Sequence, residues 1–182
     1  MTILALSKER RARVWLDSSP PDIFTSASPT YFHRRIETPN MRVANHRIAT
    51  VELFIPLGGR FLYGLLGCEI NGVKASALDI AVQTSSKRER KFTESLAGNL
   101  DTVWSGIPDE YATAVLDGAN AGISKFGAPT GETINFCFAA HGETGSTVSI
   151  FERLGMATVA LLMLPEQRAV GIGETLEQIL SR

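Results

Sequence analysis

Cysteine is scarce in this 182-residue chain: Cys68 and Cys137 are the only two, and no Cys-x-x-Cys spacing occurs. That excludes a disulfide-stapled scaffold, a zinc ribbon and a vicinal redox pair, and leaves two reduced thiols buried as small apolar side chains. Histidine is nearly as sparse. His33, His46 and His141 show no ligand spacing, so neither a metal site nor a cofactor is expected. Long apolar runs are missing too, since Met156 to Leu164 is far too short to cross a bilayer. The N-terminal MTILALSKERRARVW places its apolar patch before its charges, the reverse of a secretory leader. The expectations are no membrane partner and a cytoplasmic location. Eighteen Lys and Arg against nineteen Asp and Glu give a formal charge of −1. No generic basic nucleic-acid binder has that balance, although a localised patch is compatible with it.

What the chain does have is 44% hydrophobic residues, enough over this length to bury one real core. Residues 1–45 read as an appendage: Lys8, Arg10, Arg11 and Arg13 suggest a short helix around Trp15, ended by Ser18-Ser19-Pro20-Pro21. Residues 46–182 read as a single α/β domain. Val51, Leu53 and Ile55 alternate with Glu52 and Phe54, which predicts a strand broken by Pro56, Gly58 and Gly59. Leu65 to Ile70 and the alternation Leu78, Ile80, Val82 flank Asn71-Gly72, so a hairpin is expected there. The run from Ser85 to Lys91 reads as a solvated loop or helix start, or as a patch contacting phosphates.

Pro108, Asp109 and Glu110 open the clearest helix. Its stripe is Tyr111, Ala114, Val115, Gly118, Ala119, Gly122 and Ile123, small enough to let the helix lie close against a sheet. Lys125 and Gly127 suit its end. Ile134, Phe136, Phe138 and Ala140 then alternate on one face of a strand, directed at the core. After the turn His141 to Ser146, either Ser146 or Thr147 can cap a second helix bearing Val148, Phe151, Leu154, Thr158 and Leu161. Pattern alone leaves open whether this helix reaches Leu164 or yields to a strand at Thr158. A last helix covers Glu174 to Leu180.

Three segments carry a family likeness. Ile107-Pro108-x-Glu110-Tyr111-x-x-Ala114-Val115-x-x-Gly118 resembles the helix that opens the middle of domain IV in translation elongation factor G. Gly145-Ser146-Thr147-x-x-x-Phe151 is similar to that domain's Asp-Ser-Ser-x-x-x-Phe, and Gly58-Gly59-Arg60-x-x-Tyr63-Gly64 to its Gly-Gly-Arg-x-x-Tyr-Gly. The likeness spans about Ile48 to Leu164. It implies an α+β, two-layer, ribosomal protein S5 domain 2-like fold, a mainly antiparallel sheet with helices on one face. The departures are as informative. No Gly-x-x-x-x-Gly-Lys-Ser/Thr loop exists, so there is no GTPase engine. Gly145 and Thr147 replace the family's Asp and second Ser, Phe61 and Leu62 alter the Gly-Gly-Arg loop, and the Gly64-to-Ile107 gap is long. In elongation factor G these loops form the tip that enters the ribosomal decoding region. The rewritten tip means that translocation is not inherited.

Two functions follow as expectations. The first is a stand-alone binding module that meets the ribosome or a structured RNA. Gly58 and Gly59 would form a backbone nest, and Arg60, Lys87, Arg88, Arg90 and Lys91 would supply phosphate contacts. The alternative is a small-molecule enzyme with a site near Arg60 and His141, where Arg60 holds an anion, His141 moves a proton and Glu143 supports it. His141, Glu143 and Ser146 share one turn and are the weak catalytic candidates. No Gly-x-Ser-x-Gly elbow accompanies them, so a capping Ser146 and an exposed turn His141 are the preferred account. Glu110 and Tyr111 are explained by helix-start electrostatics and packing. The apolar stretch from Thr158 to Leu164 would suit a homo-oligomeric interface.

Overall fold

A computed structural model describes residues 1–18, 20, 23, 29–37, 46–70, 77–85, 88, 90–128, 133–164 and 171–181. Its strands are β1 (Thr2–Ala5), β2 (Arg11–Leu16), β3 (Thr30–Glu37), β4 (Arg47–Leu57), β5 (Arg60–Ile70), β6 (Ala77–Thr84), β7 (Val103–Ser105) and β8 (Thr133–Gly142). Its helices are α1 (Ala112–Phe126), α2 (Val148–Leu162) and α3 (Ile172–Leu180). One sheet runs β1-β2-β4-β5-β8-β6-β3. All pairings in it are antiparallel except β6 with β8, which α1 connects as a crossover. Ala140 pairs with Leu65 on one side and with Ser105 on the other, so β7 continues the β8 edge that β6 begins. The expected α+β fold with a mainly antiparallel sheet is present.

Alternation decides which side of each strand the helices cover. Ala49, Val51, Leu53 and Ile55 of β4 join one core with Ile80, Val82, Ile134 and Phe136, beneath α1 and α2. The opposite face is not bare. Trp15, Phe54, Tyr63 and Leu65 pack there against Phe92, Ala97 and Val103, so the stretch before β7 adds a partial third layer to the expected two. Glu52 points into this second cluster and is 0% exposed. Its carboxylate accepts from Arg13 Nε at 2.6 Å, Tyr63 Oη at 2.9 Å and the Leu96 amide at 2.7 Å. A buried carboxylate is tolerated because each oxygen is matched by a donor, one of them cationic.

Several expectations change. Residues 1–45 are not set apart from the sheet: they supply β1, β2 and β3, and the segment around Trp15 is a strand paired with β4. Ala12 and Val14 face the main core and Trp15 the second cluster, a period of two that the neighbouring charges mask. The strands flanking Asn71-Gly72 form but do not pair, because β8 lies between β5 and β6. The turn itself falls outside the described residues. Six residues separate Ile70 from Ala77, ample to step across one intervening strand, about 10 Å. Pro56 does not end β4, which runs on to Leu57 opposite Arg60; the reversal comes at Gly58, whose φ of +69° suits a two-residue hairpin turn.

The small stripe of α1 serves a helix–helix seam rather than the sheet alone. A Cβ at Gly118 would sit 1.9 Å from the Glu152 carbonyl oxygen, and one at Gly155 2.6 Å from that of Val115. On β8 the register shifts so that Gly67 faces Phe138 and Cys68 faces Phe136, leaving Cys137 as an extra residue. This bulge reverses the alternation: Phe136 stays in the core, Phe138 is only half-buried, and Ala139 takes the next inward place. The open question at Thr158 resolves as helix, since α2 continues through it to Leu162. Thr158 to Leu162 are buried within the chain, so they are core and offer no surface for a second copy. Val148, expected on the inner side of α2, is exposed. Arg47, nearly buried at the start of β4, donates to the Leu162 and Leu164 carbonyls and pairs with Asp17 at 2.9 Å, closing the helix end. No helix among the described residues is long and apolar enough to cross a membrane.

Candidate functional site

The C-terminal end of β8 delivers His141 opposite Trp104 of β7. The imidazole is 6% exposed, not the exposed turn residue the sequence suggested. Its Nδ1 lies 2.7 Å from the Gly106 carbonyl oxygen. A carbonyl can only accept, so Nδ1 carries the hydrogen and the neutral ring keeps a lone pair at Nε2. Burial holds the His141 pKa below the usual histidine range, and the Arg88 charge pushes the same way. The Gly106 bond and the Glu110 and Asp101 carboxylates pull back against them. Tyr111, just before α1, has its ring centroid 6.4 Å from that of His141 and stacks on Phe151 at 4.6 Å. A cleft of about 310 Å³ opens here, walled by Ser85, Arg88, Glu110, Tyr111, His141 and Glu143.

Sequence proximity does not become a catalytic triad. Glu143 accepts from Arg88 at 2.7 Å and from Trp104 Nε1 at 3.0 Å, not from His141. Ser146 Oγ donates to the Tyr63 carbonyl at 2.8 Å and accepts from the Gly142 amide at 2.9 Å, which ties the turn to β5. Thr147 is the residue that caps α2, accepting from the Ile150 amide. The Asp101 carboxylate holds the same turn through the Thr144 and Gly145 amides. These bonds account for Ser146 as a structural hydroxyl.

The cations divide among different places. The β4–β5 turn and the 142–147 turn do lie at one end of the sheet, joined by Tyr63 N donating to Gly145 O at 2.8 Å. Arg60 stands exposed on that turn without a partner among the described residues, and it does not line the cleft. Lys87 lies outside the described residues. Arg88 and Lys91 both stand over the Trp104 ring, 5.9 Å and 5.4 Å from its centroid. Arg90 fixes the segment by accepting from the Ser105 amide at 2.8 Å through its carbonyl. Gly58 and Gly59 form the hairpin reversal, with open space around them. Trp104 and Asp101 had no sequence signal as site residues, because their importance comes from β7 joining the free edge of β8.

No group of His, Cys, Asp and Glu suited to a metal ion occurs among the described residues. Cys68 is buried and Cys137 half-buried, the Cys137 thiol pushed up to about 12 chiefly by burial and further by Glu69. Both are therefore protonated and inert as nucleophiles. No model of a known protein family matches this chain, and no curated protein matches it.

Proposed function

We propose that this chain is a binding module without a GTPase engine that contacts structured RNA, the ribosome being the first candidate. The contact surface is the end of the sheet where the β4–β5 turn, the 142–147 turn and residues 88–104 converge. The observation that carries the reading is the pairing of Arg88 and Lys91 with a half-exposed Trp104, with a separate Arg60 exposed on the β4–β5 turn. Cations bind phosphates by releasing counterions, and an indole face offers a base somewhere to stack. The finer fold assignment, S5 domain 2-like and akin to elongation factor G domain IV, is supported by the run β4, β5, β6, α1, β8, α2 with β8 inserted between β5 and β6. The tip itself is rebuilt. Phe61, a departure from the family pattern, stacks on Phe54 at 5.3 Å and belongs to the fold rather than to a ligand.

Co-sedimentation with ribosomes and with bulk RNA across a salt series tests this. Binding is expected to weaken linearly on a log–log plot, each phosphate contact contributing about 0.7–0.9 to the slope. The triple variant Arg60→Gln, Arg88→Gln, Lys91→Gln should lower that slope by about 2–3. Equal binding by the variant sinks the residue assignment, and no binding at low salt sinks the function.

A further inference from the structure

The cleft beside His141 has features that RNA binding does not use. His141 is fixed by Gly106 on one side and by Tyr111 on the other, and its Nε2 has no partner among the described residues. A buried polar ring held this firmly presents one acceptor in a defined direction. Arg88 is the cation that lines the cleft among the described residues, and its side chain is 58% exposed. Its guanidinium spends one donor on Glu143 and keeps others free for a planar anion. Glu110, exposed and lining the cleft beside Tyr111, is a carboxylate whose oxygens accept from the Tyr111 hydroxyl and can accept from another.

These groups select by sign. Among the described residues, one lining cation against Glu110 and Glu143, with Asp101 close enough to act on His141, disfavours a polyphosphate or a dicarboxylate. Pro108 and Tyr111 supply too little apolar wall for a lipid-like ligand. A volume of about 310 Å³ sits at the small end of ligand sites. What fits is a single negative group next to hydroxyls.

We propose that this cleft binds a small hydroxylated monoanion, a hydroxy acid. Arg88 grips the anionic group in place of Glu143, while a ligand hydroxyl donates to His141 Nε2 and a second meets Glu110. His141 is thereby also placed to take a proton from that hydroxyl. Arg88 serves both readings, and the probes keep them apart, since none contains a base or a phosphate and the readout is His141, which the RNA reading does not use.

The test follows the His141 ring nitrogens of the full-length, ¹⁵N-labelled protein by long-range ¹H–¹⁵N spectra. Glycolate, glycerate and gluconate are the probes, with acetate and glycerol as halves of the same chemistry. At least one probe should shift Nε2 saturably, with acetate and glycerol weaker by about tenfold or more. Arg88→Gln should weaken the probe by about tenfold, and Glu143→Gln, which removes the competitor for Arg88, should tighten it. Arg88 is exposed, so the backbone amide spectrum of its variant away from the cleft should remain native and report an intact fold. The proposal is overturned if no probe shifts Nε2 saturably into the tens-of-millimolar range. It is equally overturned if acetate matches the probes, or if Arg88→Gln leaves binding unchanged.

Discussion

His141 shows how one residue's chemistry is set by what surrounds it. Burial disfavours its charged form more than the Gly106 carbonyl favours it, so the folded-state pKa lies below that of the unfolded chain. The unfolded histidine, with a pKa of about 6.5, takes up a proton that the folded state refuses. Stability from this group is therefore complete above that value and is lost as pH falls through the depressed folded pKa. Urea midpoints should drop between about pH 7.5 and about pH 5.5, and His141→Gln should remove part of that drop. An unaltered pH dependence in His141→Gln would contradict the depressed pKa. The sequence put His141, Glu143 and Ser146 in one turn, but His141 ends strand β8 and only the residues after Gly142 make the turn, and adjacency along the chain says nothing about where each polar atom points. Glu52 makes the same point: alternation placed it away from the helices, and only residues 92–103 folding over that face made it buried.

At the scale of elements, glycines that look alike in sequence behave oppositely. Gly118 lies in α1 against the backbone of α2, where a methyl would meet a carbonyl oxygen that cannot move aside. Gly118→Ala should lower stability by about 1–3 kcal/mol, even though alanine is the better helix former. Gly173 in α3 has nothing within 4 Å of its would-be Cβ. Gly173→Ala should raise stability by up to about 1 kcal/mol. Thermal melts of the two variants check the pair, and a stabilised Gly118→Ala would mean that the seam is looser than described. Turn chemistry explains one element the sequence hid. The β1–β2 reversal uses Lys8 and Glu9 at φ +56° and +59°, a conformation usually signalled by Asn-Gly. Conversely Asn71-Gly72 carries that signal between strands that do not pair.

For the whole molecule, the sheet depends on both flanks. β1 and β2 cover one edge of β4, and β3 covers the outer edge of β6. Their loss would expose two strand edges, strip Ala12 and Val14 from the core, and leave buried Glu52 without Arg13. A chain starting at His46 should therefore fail to unfold cooperatively in urea. A cooperative urea transition with a midpoint near that of the full chain would restore the appendage reading. Ser7 and Arg10 also reach Glu177 of α3, so the first strands and the last helix brace each other.

The local patterns were sufficient for what is local. Alternating apolar residues marked β4, β6 and β8, helical spacing marked α1 and α2, and Pro108 with its acidic neighbours marked where the α1 region begins. Each depends on a repeat that one segment carries by itself. Tertiary structure alone decided that β8 enters between β5 and β6, that a bulge at Cys137 turns Phe138 away from the core, and that Gly118 meets a second helix. It alone brought Arg88 to the His141 cleft and set Trp104 against Arg88 and Glu143. Those outcomes depend on which surfaces bury each other, a competition among segments distant in sequence that no single segment encodes.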